Sequence, residues 1–167
     1  MNPRVGILMG SDSDLEIMEE VGKVCDEFDV GYEMHVMSAH RTPHDVAEFA
    51  ATAHKRGLQV IVAGAGGAAH LAGVVAAHTP LPVIGLPIKS KALNGLDSLL
   101  SIAQMPSGVP VATVAIDGGR NAGLLAVQML ALADAELFAR VVSFKEKLAE
   151  SIRERDRKLQ ERLQAKK

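Results

Sequence analysis

A histidine and an arginine stand side by side in the segment Ser38-Ala39-His40-Arg41-Thr42-Pro43. A guanidinium can bind a phosphate through two parallel hydrogen bonds, and an imidazole near neutral pH can both give and take a proton. The polar neighbours and Pro43 indicate a loop just before a helix. Taken alone, the pair is open to two interpretations, a proton-transfer site and an ordinary solvated loop.

Two further segments suit small anions. Gly10-Ser11-Asp12-Ser13-Asp14 follows an apolar run, where Ser or Asp can cap the next helix and free N–H groups can accept an anion. Residues 64–70 satisfy the dinucleotide-loop pattern G-x-G-x-x-A. They follow the third predicted strand rather than the first, and no acidic residue lies between Glu48 and Asp97 to hold an adenosine ribose. We therefore interpret these glycines as letting backbone N–H groups approach a small carboxylate or CO2.

Metal ligands and nucleophiles are not recognisable in the sequence. His40 and His44 are four residues apart, but Pro43 falls between them and the first lies in a loop, so they do not share a helical face. Cys25 lies on the predicted apolar face of a helix, which is typical of a small core residue. The run Lys89-Ser90-Lys91 indicates either a solvated turn or a lid that faces an anion. We predict no metal at the site.

Apolar runs and helical patterns alternate along the first 133 residues. Strands are predicted at residues 5–9, 32–37, 60–63, 83–86 and 111–116, and helices at 15–28, 45–54, 68–77, 96–104 and 121–132. This alternation is typical of a parallel sheet with helices on both faces. We predict an α/β three-layer sandwich with a flavodoxin-like or Rossmann-like, doubly wound, five-stranded parallel sheet. Ligands bind such sheets at the carboxyl ends of the strands, so the loops after the first three strands are expected to share one edge.

The last part of the chain reads as one long helix. From Leu124 to Lys167 there is no Gly or Pro, and residues 134–167 carry 10 basic and 7 acidic side chains against 8 and 13 in residues 1–133. We predict a catalytic domain at 1–133 and a C-terminal helix of the same domain at 134–167. Its narrow apolar stripe packs either on its own domain or on another subunit. The stripe consists of Leu148, Ile152, Leu159 and Leu163.

Composition excludes several classes of partner. Lys and Arg number 18 against 20 Asp and Glu, so the chain lacks the basic excess that nucleic-acid or membrane binding requires. Aromatic residues make up 3% of the chain, too few for base-stacking platforms. A single cysteine cannot form an internal disulfide, and no apolar run reaches the roughly 18 residues of a membrane span. We expect an unprocessed cytoplasmic protein that binds neither nucleic acid nor membrane.

Six segments together resemble the PurE family of N5-carboxyaminoimidazole ribonucleotide mutases. They occur in the family's order between residue 4 and about residue 133. They are G-S-D-S-D at 10–14, S-A-H-R-T-P at 38–43, A-G-A-G-G-A-A-H-L at 63–71, L-D-S-L-L-S-I-A-Q-M-P at 96–106, G-V-P-V-A-T-V-A-I at 108–116 and N-A-G-L-L-A at 121–126.

The resemblance implies an isomerase of de novo purine (IMP) biosynthesis. Such an enzyme moves a carboxylate from the exocyclic nitrogen of an aminoimidazole ribonucleotide to C4, by decarboxylation to a trapped, bound CO2 and carboxylation at carbon. It implies no cofactor, whether ATP, metal or organic group. The proton-handling histidine of the family corresponds to His40. Family members form homooctamers with active sites at subunit contacts, and the predicted tail helix would fit such an assembly.

The resemblance also implies roles for the other site residues. Arg41 and Ser11 suit the phosphate, while Asp14 suits ribose hydroxyls or the ring amine because two anions repel. Further substrate-binding roles fall to Ser13 and Ser38 as phosphate donors, to Gly64, Ala65 and Gly66 as backbone of the glycine-rich loop, and to His70 as a second-tier pocket residue.

Two departures from the family pattern and two alternatives accompany this prediction. Ala72 stands where the family usually has Pro, and Ala103 where it usually has Val; both affect packing rather than chemistry. An aminoimidazole ribonucleotide carboxylase that uses free CO2 usually has Lys after the loop histidine, so Arg41 favours the mutase. A non-catalytic domain that binds a phosphate ligand is the other alternative. A receiver domain would place an acidic residue near Gly64, at the end of the third strand.

Overall fold

Five strands and six α-helices alternate along residues 2–165, the part of the chain that the computed structural model describes. The strands are β1 (Val5–Met9), β2 (Tyr32–Val36), β3 (Val60–Gly66), β4 (Val83–Ile88) and β5 (Ala112–Thr113). The helices are α1 (Leu15–Glu27), α2 (Pro43–Thr52), α3 (Leu71–His78), α4 (Leu96–Ala103), α5 (Gly119–Ala131) and α6 (Ala135–Gln164).

The strands form one sheet in the order β2-β1-β3-β4-β5, and every neighbouring pair is parallel. This confirms the predicted doubly wound α/β fold. The order is the flavodoxin-like one, in which the chain reverses direction across the sheet between β1 and β3. All residues of β1 and β4 are buried, whereas β2 is partly exposed at the sheet edge.

Helices cover both faces of the sheet. On one face, Gly123 of α5 lies against Val24 of α1, where an added methyl group would meet that valine, so the two helices pack closely. The other face buries a cluster to which three helices contribute. Its members include Leu8, Ile61, Ala63, Val46, Phe49, Leu71, Val75 and Ile102. Since both faces are covered, the carboxyl ends of the strands remain the edge where a ligand can enter.

The end of β3 differs from the predicted boundary. The strand continues to Gly66, because Gly64, Ala65 and Gly66 pair with Leu86, Pro87 and Ile88 of β4. A glycine run has low strand propensity, so the sequence indicates a loop. In the sheet, Gly64 lies against the side chain of Met18 of α1, which would have to move to admit a side chain there. As a result α3 begins at Leu71 rather than near residue 68.

The predicted strand at 111–116 is also shorter in the structure. Only Ala112 and Thr113 pair with β4, opposite Ile84 and Gly85. Because β5 lies at the edge of the sheet, only β4 can pair with it. The remaining residues of the run continue as irregular chain toward Asp117.

Within the described residues the chain divides into two compact units, one that ends at Leu130 and one that begins at Ala131. In the second unit, Asp134 caps α6 by accepting a hydrogen bond from the Leu137 N–H at 3.0 Å. Ion pairs such as Lys158 with Glu154 at 2.6 Å lie along the helix. The predicted stripe is half exposed: Leu148 52%, Ile152 56%, Leu159 50% and Leu163 49%. The last two residues of the predicted tail lie outside the described part.

Two other predictions concern single features of the described chain. No helix within residues 2–165 has the length and apolar character to cross a membrane. Cys25 is fully buried on α1, and its burial raises the pKa of the thiol to about 12. A thiol that stays protonated at neutral pH is a core residue and not a nucleophile.

Candidate active site

The loop after β1 is held by its own serines. Ser11 caps a short 3-10 helix at Asp12–Asp14 and accepts hydrogen bonds from the Ser13 N–H at 3.3 Å and the Ser13 hydroxyl at 3.0 Å. The Ser13 hydroxyl also lies 3.0 Å from Asp14 Oδ1. The Gly10 N–H donates to the Gly64 carbonyl and ties the loop to β3. Two hydroxyl groups and a carboxyl group are thereby grouped at the end of β1.

The loop after β2 fixes the position of Arg41. Thr42 closes the loop, because its hydroxyl accepts from the Ser38 N–H at 3.0 Å and lies 3.2 Å from the Ser38 carbonyl. Arg41 Nε donates to Ser38 Oγ at 3.3 Å, and Nη2 donates to the Gly10 carbonyl at 2.9 Å. The guanidinium is therefore held across the ends of β1 and β2, with its orientation set before any ligand binds.

His40 and His70 form a pair, although 30 positions separate them in the chain. His40 Nε2 lies 2.8 Å from His70 Nδ1, and the rings meet edge to face with centroids 4.9 Å apart. At this distance the N–H of one ring donates a hydrogen bond to the unprotonated nitrogen of the other, so the tautomers of the two rings are linked. His70 immediately precedes α3, and His40 lies in the loop after β2.

The loop after β3 has a conformation that only glycine adopts readily. Gly67 has φ +67°, and its N–H donates to Ser98 Oγ at 2.8 Å. The buried Ser98 hydroxyl in turn donates to the Ile88 carbonyl at 2.7 Å. This serine of α4 therefore braces the glycine-rich loop against the end of β4. Nothing in the sequence pattern indicates this role, since Ser98 and Gly67 meet only through the packing of α4.

The loop after β4 is ordered rather than freely solvated. The Lys89 N–H donates to Asp117 Oδ1 at 2.8 Å, and Asp117 itself has φ +55°. The Ser90 hydroxyl donates to Asp97 Oδ1 at 2.6 Å and accepts from the Gly95 N–H at 3.3 Å. These bonds hold the first residues of the loop at the same edge as the three loops before it.

The four loops enclose an open cavity of about 350 Å³. Nine of the sequence-predicted site residues line it, namely Ser11, Ser13, Asp14, Ser38, His40, Arg41, Ala65, Gly66 and His70. Gly64 does not line it, because this residue lies inside β3 against Met18. Lys89 and Ser90 also line it. The sequence left their run open between a solvated turn and a lid that faces an anion, and neither residue was assigned to the substrate. Both directly follow a strand whose carboxyl end lies at the ligand-binding edge.

Asp14 is the one acidic side chain among the described residues that line the cavity. It is 9% exposed, and burial raises the pKa of its carboxyl group above the ordinary value. The hydrogen bond from Ser13 opposes this rise, while the nearby charges of Asp117 and Asp12 add to it. The ionised form is thus disfavoured in the free protein, and a hydrogen-bond donor on a ligand would relieve that cost.

We expect Asp14→Asn to raise the melting temperature at pH 7 and to leave it unchanged below pH 3.8. Because the folded-state pKa is raised, the folded protein binds this proton more tightly than the unfolded chain does. The ionised carboxylate therefore costs stability above the folded-state pKa, and the cost disappears as the pH falls to the ordinary value of 3.8. Asn keeps an Oδ1 that can accept from Ser13. Calorimetry at both pH values tests this, and an equal gain at both would contradict it.

No group of three or more His, Cys, Asp or Glu side chains within residues 2–165 is arranged as a metal site. The cavity instead combines a guanidinium, a lysine, several hydroxyl groups, a histidine pair and a glycine-rich backbone wall. Such a set can bind an anionic, hydroxylated small molecule and exchange protons with it.

Comparisons with known proteins identify the family of this chain. A family model described as AIR carboxylase matches residues 4–151. An N5-carboxyaminoimidazole ribonucleotide mutase of Pyrococcus abyssi is 62% identical over 144 residues, which cover 86% of this chain and 83% of the relative. A phosphoribosylaminoimidazole carboxylase of Schizosaccharomyces pombe is 55% identical over 159 residues, which cover 95% of this chain and 29% of the relative. A crystal structure of Treponema denticola PurE has a TM-score of 0.87 at 32% identity, covering 94% of this chain and 98% of that one.

The region that the family model matches contains the whole parallel sheet and all four loops of the cavity. Identity of 62% extends over most of both chains in the Pyrococcus comparison, so it is not confined to one motif. The chain belongs to the AIR carboxylase family, the family of PurE.

Proposed function

We propose that this protein is a cytoplasmic N5-carboxyaminoimidazole ribonucleotide mutase, an isomerase of purine biosynthesis. The observation that carries the proposal is the 2.8 Å contact of His40 with His70 in a cavity that also contains Arg41 and the glycine-rich wall. The relatives named as mutases, from 52% to 62% identical to this chain, support the same activity. The substrate class is a small ribonucleotide.

The proposed reaction has two steps and is redox-neutral. The bond between the exocyclic nitrogen and its carboxylate breaks, CO2 is released, and the electron pair left on nitrogen takes a proton from protonated His40. C4 of the resulting 5-aminoimidazole ribonucleotide then attacks CO2, and the hydrogen on C4 leaves as a proton to His40. One proton is given and one is returned, so the enzyme regains its starting state without a metal or an organic cofactor.

The binding roles follow from the chemistry of each loop. Arg41 is oriented by Ser38 and the Gly10 carbonyl and presents a cation for the phosphate, with Ser11, Ser13 and Ser38 as hydroxyl donors. The carboxyl group of Asp14 accepts hydrogen bonds from ribose hydroxyls or the ring amine. These partners suit Asp14 better than the phosphate does, because two anionic groups repel.

The glycine-rich loop provides the place for the carboxylate and for CO2. Ala65 and Gly66 line the cavity without bulky side chains, so backbone groups can approach a small planar molecule closely. Gly67 is held by two serines of α4: its N–H donates to Ser98 Oγ at 2.8 Å, and its carbonyl accepts from the Ser101 hydroxyl at 3.4 Å. A rigid wall limits the escape of CO2 between the two steps, which the mutase reaction requires.

Carbon NMR distinguishes the proposed function from its alternatives. N5-carboxyaminoimidazole ribonucleotide labelled with 13C at its carboxylate is mixed with enzyme in buffer that contains unlabelled bicarbonate and no ATP. Label that arrives undiluted at C4 supports a mutase with a bound CO2 intermediate. Product whose label is diluted by the buffer pool indicates the carboxylase activity named for the Schizosaccharomyces relative. No product above background decay would leave a phosphate-ligand binding domain.

We further propose that the protein forms homooctamers. The exposed apolar residues of α6 support this proposal, because Phe138, Leu148 and Ile152 are each more than half exposed in the single chain. The expected result is a particle of eight times the 17.7 kDa chain mass in light scattering coupled to size exclusion. A monomer at micromolar concentration would contradict the proposal.

A further inference from the structure

The charged groups of the cavity are few and separated. Among the described residues that line it, the cations are Arg41 and Lys89, the one carboxyl group is that of Asp14, and the rings of His40 and His70 are paired. The proposed substrate carries two anionic groups, a phosphate and a carboxylate. A ligand with two separate negative charges binds better to a site with two cations than to a site with one.

The two cations lie at the carboxyl ends of different strands. Arg41 Nη2 is hydrogen bonded to the Gly10 carbonyl at the end of β1, and Lys89 directly follows β4. In the strand order, β3 lies between β1 and β4. Neighbouring strands are about 4.8 Å apart, so the ends of β1 and β4 are separated by roughly 10 Å. The Arg41 guanidinium and the backbone of Lys89 therefore lie on opposite sides of the end of β3.

A ribonucleotide bound across this edge has a defined direction. It carries its phosphate at one end and its base at the other, with the ribose between. With the phosphate at Arg41, the base extends past the end of β3 toward β4. The carboxylate, which is attached to the base, then comes to the end of the cavity where Lys89 lies.

Lys89 is suited to a carboxylate that changes its position. Its backbone is fixed, because its N–H donates to Asp117 Oδ1 at 2.8 Å and the next residue, Ser90, is bonded to Asp97. Its side chain is exposed and has a flexible four-carbon stem that ends in three rotatable donors. A fixed backbone with a mobile ammonium group can follow the carboxylate from nitrogen to carbon.

We propose that Lys89 is a substrate-binding residue that recognises the migrating carboxylate and so distinguishes carboxylated from uncarboxylated aminoimidazole ribonucleotides. The inference rests on the proposed function, because it takes the phosphate and carboxylate of that substrate as the two ligand charges. It assigns Arg41 and Lys89 separate partners within one cavity. Lys89 thereby selects the carboxylated base over the uncarboxylated one, and Arg41 selects the phosphorylated nucleotide over the nucleoside.

The test compares two ribonucleotides that differ only in the carboxylate. Titration calorimetry measures the dissociation constants of 4-carboxy-5-aminoimidazole ribonucleotide and of 5-aminoimidazole ribonucleotide for the full chain and for Lys89→Met. We expect the variant to bind the carboxylated compound about 10- to 100-fold more weakly, the range for loss of a charge-assisted hydrogen bond, and to bind the other compound within twofold of normal. Lys89→Arg is expected to restore most of the difference, since it keeps the charge.

The matched control is Lys91→Met, two residues further along the same loop. Lys91 is exposed and is not among the cavity-lining residues, so this variant changes the net charge by the same amount without removing a ligand contact. It is expected to bind both ribonucleotides normally. A similar loss in both lysine variants would mean a general charge effect and would overturn the inference.

Other outcomes separate the inference from the proposed function. If Lys89→Met weakens both ribonucleotides equally, Lys89 contacts the phosphate or ribose and the inference is wrong. If it weakens neither while the unaltered protein converts substrate normally, the inference fails and the proposed function stands. If the unaltered protein neither binds nor converts these ribonucleotides, the proposed function fails and the inference fails with it.

Discussion

Replacing His40 by Asn is expected to reduce kcat by at least about 100-fold while the dissociation constant of the ribonucleotide changes little. Asn can keep a hydrogen bond to His70, whose Nδ1 lies 2.8 Å from His40 Nε2, but it cannot accept and return a proton at neutral pH. Both proposed steps need such a group, the first to protonate nitrogen and the second to deprotonate C4. Steady-state kinetics together with calorimetric binding measurements test this expectation.

His44→Asn is the matched control for His40. This histidine is four positions further along the chain, is exposed on the first turn of α2 and is not among the cavity-lining residues. We expect it to retain normal turnover. Turnover by His40→Asn within a few fold of normal would remove His40 from the proton-transfer role and leave His70 as the histidine to test next.

Replacing Arg41 by Ala is expected to weaken ribonucleotide binding by about 2–5 kcal/mol, the usual scale for breaking one side of a charge-assisted contact. That range corresponds to roughly 30-fold or more in the dissociation constant. The guanidinium is held by Ser38 Oγ and the Gly10 carbonyl, so it meets a phosphate with little loss of side-chain freedom. Titration calorimetry with the product nucleotide measures the effect.

The dephosphorylated nucleoside provides the control for Arg41. If the phosphate is the partner of Arg41, the variant and the unaltered protein bind the nucleoside equally weakly. Arg41→Lys is expected to recover only part of the nucleotide affinity, because an ammonium group lacks the planar fork that matches a phosphate. Equal nucleotide affinity in Arg41→Ala and the unaltered chain would place the phosphate elsewhere in the cavity.

The binding and catalytic predictions differ in what they measure. Arg41 and Lys89 are expected to change affinity for different parts of one molecule, whereas His40 is expected to change turnover. Asp14 is expected to change stability in the absence of ligand, because its raised pKa reflects a carboxyl group that the folded chain buries before a partner arrives. Polar ligand sites typically lower the stability of the free protein in this way, and the unfavourable burial is relieved when the ligand binds.

Several features of the fold follow from local pattern. Apolar runs such as Val5–Met9 and the helical spacing of Leu15, Met18 and Val21 depend on residues that are close in sequence, so the alternation of strands and helices was predictable. The end of β3 was not. Gly64 and Gly66 favour a loop by propensity, and only the pairing with β4 and the close approach of Met18 make a strand of them.

The sequence by itself determined the α/β class, the ligand-binding edge and the residue types available for chemistry, because these depend on periodicity and on side-chain identity. Only the tertiary structure decided the flavodoxin-like strand order, which no single crossover reveals. It also brought His70 within 2.8 Å of His40, left Gly64 outside the cavity and brought Lys89 into it. These contacts join segments tens of residues apart, and their distances depend on how strands pair and helices pack across the whole sheet.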